Sequence, residues 1–138
     1  MKSKRTRVLL IILAVLIVGF VAFRIVFSRI EANLAALKDM TIQSVDLGGM
    51  DDGSYTGNYS VFPVSATVRV TVRDHVMTGI ELVKHTHGQG KEAESIPEMI
   101  LAAQSLQVDS IAGATYSSKV ILKAIENALL DPGLNAGD

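Results

Sequence analysis

The chain has 138 residues, 49% apolar and 20% charged, with a formal net charge of −1 and no cysteine. That length holds one modest domain with an additional element and excludes two full domains. The lack of cysteine excludes disulfides, thiolate zinc centres, iron–sulfur clusters and cysteine nucleophiles. The near-neutral total conceals a split. Residues 1–30 carry six Lys or Arg and no acid, whereas residues 31–138 carry seven basic against fourteen acidic residues, so the two parts suit different surroundings.

Val8 to Phe23 forms an apolar stretch, and Ile25, Val26 and Phe27 extend it beyond Arg24. About 20 residues of helix rise roughly 30 Å, the thickness of a bilayer core. Arg24 sits near the far end, where a long side chain reaches the headgroups. A secretory signal would have a shorter apolar region followed by an Ala-x-Ala-like site, and none follows here. Lys2, Lys4, Arg5 and Arg7 precede the span, while only Arg29 and Lys38 follow it closely. The positive-inside rule then puts the N-terminus in the cytoplasm and the rest of the chain outside. The expectation is a single-pass cell-membrane protein, with residues 1–30 as cytoplasmic N-terminus and transmembrane anchor. Ile30, Leu34 and Leu37 prolong the helical spacing as a stalk. Residues 31–50 are therefore read as stalk and linker, ending in the turn-forming stretch Asp46 to Gly53.

The extracytoplasmic part reads as α+β, a small antiparallel sheet with two packed helices. A short strand is expected over Ser54 to Ser60. Val64, Ala66, Val68, Val70 and Val72 alternate with Ser65, Thr67, Arg69, Thr71 and Arg73, the period of a strand with one buried face. Asp74-His75 makes a two-residue turn into a second β-rich run, Val76 to Lys84, giving a hairpin. Ser95-Ile-Pro-Glu98 has capping-box spacing and predicts a helix over 95–105, with Ile96, Met99, Ile100 and Ala103 on one face. Val120, Ile121, Ala124, Ile125, Ala128 and Leu129 predict a last helix, and Pro132-Gly133 supplies its stop before a tail over 132–138.

Between the two helices runs Asp109-Ser-Ile-Ala-Gly-Ala-Thr-Tyr-Ser-Ser118, a turn of small residues opening onto a helix amino end. Such an end offers unpaired backbone donors and the positive end of a dipole to an anion, and Gly113 with Ala112 and Ala114 lets a ligand approach the main chain. The same residues also fit plain capping of the helix by Thr115 or Ser117.

Residues 51–130 resemble the FMN-binding domain family, which includes the C subunit of sodium-pumping NADH:quinone oxidoreductase and the G subunit of Rnf-type complexes. Asp52-Gly-Ser-Tyr-Thr-Gly57 is similar to the family's opening, Val68 to Lys84 to its hairpin, and His85-Thr-His-Gly-Gln-Gly90 to its glycine-containing loop. Gln104-Ser-Leu-Gln-Val-Asp109 is similar to the approach to its signature. That signature reads Asp-x-x-Ser-Gly-Ala-Thr, matched here by Asp109, Gly113, Ala114 and Thr115, with Ala112 standing where the family has serine. The resemblance implies an FMN-binding domain over 51–131 and a cofactor, FMN. It also implies that a separate flavin transferase esterifies the Thr115 hydroxyl to the FMN phosphate, with FAD as donor. Ser117 and Ser118 become candidate phosphate contacts and Asp109 a determinant for the transferase.

His85 and His87 could project from one side of an alternating segment like half a metal site. His75 is the one further histidine, and no carboxylate can be placed beside the pair from sequence, so no metal is assigned. Instead His85 is taken to border the flavin. Tyr55, Tyr59 and Tyr116 could stack on the ring or simply pack. An acidic exposed part without a basic aromatic stripe argues against nucleic acid. The reading is an electron carrier, free-standing or a subunit of an oxidoreductase complex, that needs no catalytic side chain and passes electrons between membrane redox partners. Its alternatives are a non-redox flavin- or phosphate-ligand-binding module and a purely structural envelope protein.

Overall fold

In the computed structural model, which describes residues 2–131, the chain forms six regular elements. They are α1 (Lys2–Lys38), β1 (Gly53–Val61), β2 (Val64–Arg73), β3 (Val76–Thr86), α2 (Ile96–Ala103) and α3 (Thr115–Leu130). Short 3-10 turns lie at Leu47–Gly49 and Lys91–Ser95. The chain divides into two compact units between Asn33 and Leu34. The expected Pro132-Gly133 stop and the tail lie outside the described residues.

The first unit is helix, long and apolar enough to cross a membrane. Its large apolar side chains from Val8 to Phe27 are all exposed. An apolar surface of that extent is stable against lipid and unstable against water.

The second unit is α+β. Its sheet is antiparallel with strand order β1-β2-β3. The central strand buries Val64, Ala66, Val68, Val70 and Val72, the alternate residues picked out by the period of two, while Arg69 and Arg73 stay exposed. Full burial of each valine contributes on the order of 1.5 kcal/mol. On the open face Arg69 pairs with Glu81, directly opposite in the register, at 2.8 Å. The Asp74-His75 turn is a two-residue hairpin, with φ of 49° and 62° at its two residues, the left-handed pair that matches strand twist.

Two features of β3 escape a simple period-two reading. The strand runs on to Thr86, and its register against β2 shifts twice, between Thr67 and Val68 and between Thr71 and Val72. Each bulge inserts a residue and changes which side chains face inward. Leu82 opposes Val68, Val83 is extra and exposed, and His85 opposes buried Ala66. The second bulge restores the parity set by buried Met77, so the His85 side chain lies on the covered face, where it is 2% exposed.

Helix α3 lies against β1 and β2, and α2 against β3. The α3 face that is buried carries Val120, Ile121, Ala124, Ile125, Ala128 and Leu129, as its spacing requires. At Gly57 the backbone of β1 comes so close to α3 that an added Cβ would lie 2.1 Å from the Ala124 carbonyl oxygen and 2.4 Å from the Ala128 nitrogen. The end of α2 is fixed to the outer strand by Gln104, in left-handed conformation at φ 49°. Its amide accepts from the Met77 N–H at 2.9 Å and donates to the Met77 carbonyl at 2.8 Å.

The capping box is not formed. Ser95 has helical φ and ψ because the Lys91–Ser95 turn leads directly into α2, and its hydroxyl donates back to the Glu92 carbonyl at 2.9 Å. Residues 34–50 of the segment read as stalk and linker belong to the second compact unit. Leu37 and Ile42 are in the core. Glu126 on α3, 1% exposed, accepts from the Gln43 N–H at 3.3 Å and from the Lys123 ammonium at 2.7 Å. Lys119 donates to the Met40 carbonyl and Gln107 to the Ile42 carbonyl. Spacing alone reports an apolar stripe but not what it packs on.

Replacing Gly57 with Ala forces β1 away from helix backbone that has no rotamer to yield. Overpacking of this kind costs about 1–3 kcal/mol. The expected result is a fall in midpoint of roughly 5–20 °C in thermal unfolding of the detergent-extracted full chain, whereas Gly49→Ala, at an open position, leaves it unchanged.

Candidate functional site

The loop ahead of α3 is held by one side chain. Ser118, fully buried, accepts from the Ile111 N–H at 3.0 Å and donates to the Ala114 carbonyl at 2.9 Å. The Ala114 N–H closes a turn on the Ile111 carbonyl at 3.0 Å. Between them Gly113 takes φ +81°, a conformation costing other residues about 1–2 kcal/mol. This arrangement makes Ala114 the N-cap residue and Thr115 the first residue of α3, with no side-chain cap. Capping by Thr115 or Ser117 is therefore not what these residues do. The first helical hydrogen bond runs from Ser118 N–H to the Ala114 carbonyl. The amides of Thr115, Tyr116 and Ser117, and the hydroxyls of Thr115 and Ser117, have no partner among the described residues.

A cavity of about 290 Å³ opens beside this end of α3, lined by Pro63, Val64, Gly88, Gly90, Gly113, Ala114, Tyr116 and Ser117, among others. Its volume is at the lower edge of the range of about 300–1,000 Å³ common for ligand sites. Gly90 is packed so tightly on α3 that a Cβ there would lie 2.0 Å from Ser117 Oγ and 2.6 Å from Ser117 Cβ. The Lys38 ammonium sits 5.8 Å from the centroid of the Tyr116 ring, adding positive charge to the helix end.

Of the residues expected at the site, Gly113, Ala114 and Ser117 line the cavity, and Thr115 lies in the helix turn between them. Ser118 is next to them in sequence, but its oxygen is committed to the loop. Asp109 is exposed, and its carboxylate has no partner among the described residues. Ala112 is exposed as well, so a missing hydroxyl there leaves the loop's hydrogen bonds intact. Tyr116 is at the cavity. Tyr55 and Tyr59 instead pack against the core, Tyr55 donating to the Asp51 carbonyl at 2.6 Å. Sequence reasoning did not place Pro63 or Val64 at a ligand site; they line the cavity at the start of β2.

His85 is not among the lining residues. Its Nδ1 lies 3.3 Å from Glu94 Oε1, and His87 Nε2 lies 3.8 Å from the same oxygen. The two imidazole rings are 4.5 Å apart between centroids. Burial pushes the His85 pKa below its ordinary value of 6.5, and the His87 charge acts in the same direction against the upward pull of Glu94. Glu94 was not legible as a neighbour because it lies on the separate Lys91–Ser95 turn.

Unpaired amides at a helix N-terminus are a site for a phosphate, and a glycine-lined cavity next to them admits an attached ring system. Residues 64–130 match the family model of the FMN-binding domain. The match indicates FMN as the cofactor. No curated protein matches the chain closely enough to be counted a relative. The residues present fit the cofactor: three unpartnered amide donors and two unpartnered hydroxyls in the first turn of α3 are available to a phosphate, and Gly88, Gly90 and Gly113 line the adjacent cavity.

Ser117 and Ser118 separate binding from scaffolding. Ser118→Ala leaves the Ile111 N–H unsatisfied and is expected to cost about 1–3 kcal/mol in denaturant unfolding. Ser117→Ala is expected to leave stability within about 0.5 kcal/mol while weakening reversible binding of added FMN to protein produced without a flavin transferase, read by flavin fluorescence titration.

Proposed function

We infer that this is a membrane-anchored flavoprotein whose domain faces away from the cytoplasm and holds FMN as an ester of the Thr115 hydroxyl, passing electrons between membrane redox partners. The observation that carries the reading is the Thr115 hydroxyl, without a partner among the described residues, on the first residue of α3; the amides of that first turn are unpaired, and its neighbours Ala114 and Tyr116, though not Thr115 itself, line a cavity. Those amides and the Ser117 hydroxyl hold the phosphate. Gly113 and the Ser118 hydrogen bonds keep the turn in the shape that presents Thr115.

In the attachment step that the family resemblance implies, Thr115 Oγ1 attacks the FMN-side phosphorus of FAD. The new P–O bond forms as the bond to the AMP phosphate breaks, the hydroxyl proton passes to a base of the transferase, and AMP leaves. Exposed Asp109, six residues before Thr115, is available to the transferase. Bound flavin supplies the redox chemistry, accepting and returning electrons, while the protein sets its position and surroundings. The outward orientation rests on the four basic residues before the span, Lys2, Lys4, Arg5 and Arg7, against Arg29 and Lys38 after it. It also gives the ester a reason, because a domain outside the cytoplasm would lose an exchangeable flavin by dilution.

The test is an intact mass of the full chain, extracted from membranes after co-production with a flavin transferase. The expected result is a gain of one FMN less one water, abolished in Thr115→Val with no loss of folding. An unmodified wild-type mass in the presence of an active transferase would overturn covalent attachment and leave reversible binding.

A further inference from the structure

We propose that His85, His87 and Glu94 form a binding site for a divalent transition-metal ion of the zinc type. The three residues converge from separate pieces of chain. His85 is on the last residues of β3, His87 is just beyond it, and Glu94 is in the Lys91–Ser95 turn. One ligand atom from each lies within 4.8 Å of the others.

The distances suit coordination better than hydrogen bonding. With bonds of about 2.0–2.1 Å, ligand atoms of a tetrahedral zinc ion lie about 3.3–3.4 Å apart. The two separations from Glu94 Oε1 are 3.3 and 3.8 Å. A charge-assisted hydrogen bond between imidazolium and carboxylate would close to about 2.7–2.9 Å. Here two rings instead share one carboxylate oxygen at longer range, and their other nitrogens, His85 Nε2 and His87 Nδ1, are buried without a partner. Neutral imidazole is the form that ligates. Each ring then offers a lone pair from the nitrogen facing Glu94 and keeps its proton on the far one.

Two imidazoles and one carboxylate select zinc or a neighbouring first-row ion over magnesium or calcium, which prefer all-oxygen sets. Three protein ligands leave a fourth position for water. The ion would fasten the end of β3 to the turn before α2. The loop between them contains Gly88 and Gly90, which line the cavity. The site makes no use of Thr115 or of flavin, so its existence is independent of the function inferred above.

Chelator-stripped full-length protein in detergent is titrated with Zn2+ by calorimetry, beside Glu94→Gln, His87→Ala and Thr115→Val. The expected result is one Zn2+ per chain, bound tighter than about 10 µM. Removing a ligand in Glu94→Gln or His87→Ala is expected to weaken binding by at least about 30-fold. Thr115→Val retains wild-type affinity, and Mg2+ gives no saturable heat. Glu94 is 42% exposed, so its amide variant keeps the fold, checked by an unchanged unfolding midpoint without metal. Absence of saturable Zn2+ binding, or equal affinity in wild type and Glu94→Gln, would overturn the proposal.

Discussion

Everything at the site depends on how closely α3 lies on its neighbours. Two glycines set that distance. At Gly57 the β1 backbone lies against the backbone of α3 near Ala124 and Ala128, and at Gly90 the loop after β3 lies against Ser117 in the first turn. A helix in contact at two points more than a turn apart has little freedom to slide or tilt. Its amino end is thereby fixed beside the cavity, with Thr115 at the first helical position. Packing at van der Waals distance gives this precision because repulsion rises steeply within a few tenths of an ångström.

The part of α3 beyond its first turn serves a second purpose. Buried Glu126, paired with Lys123, accepts from the backbone at Gln43, and Lys119 reaches the Met40 carbonyl. A buried carboxylate is tolerated only when its charge is paired and its oxygens are hydrogen-bonded. Here that requirement draws residues 40–43 onto the domain and adds Leu37 and Ile42 to a core that would otherwise be thin.

The free donors at the opposite end of α3 follow from the turn that precedes it. Because the Ser118 hydroxyl bonds the loop from inside the helix, no side chain is spent capping the first three amides. An ordinary N-cap would have satisfied one of them and removed it from a ligand. A left-handed glycine, a back-bonding serine and an uncapped helix thus form one device, and each part would be unremarkable alone.

Much of this was legible in the sequence. The apolar stretch long enough to cross a membrane, the period-two strand over Val64–Val72, the Asp74-His75 turn and the buried stripe of α3 are local patterns, fixed by backbone geometry and by which residues repel water. The Asp109–Thr115 signature also reads locally, because a turn into a helix is specified by consecutive residues. Contacts between distant segments were not legible. Two β-bulges changed which residues face inward between Met77 and His85, Glu94 met the histidines from another turn, and Ser95 gave up its capping role to the turn before it. The stalk residues joined the core because α3 offered partners some eighty positions away. Sequence determines such elements where the deciding interactions span a few residues. Tertiary structure alone decides where they depend on which backbone lies against which.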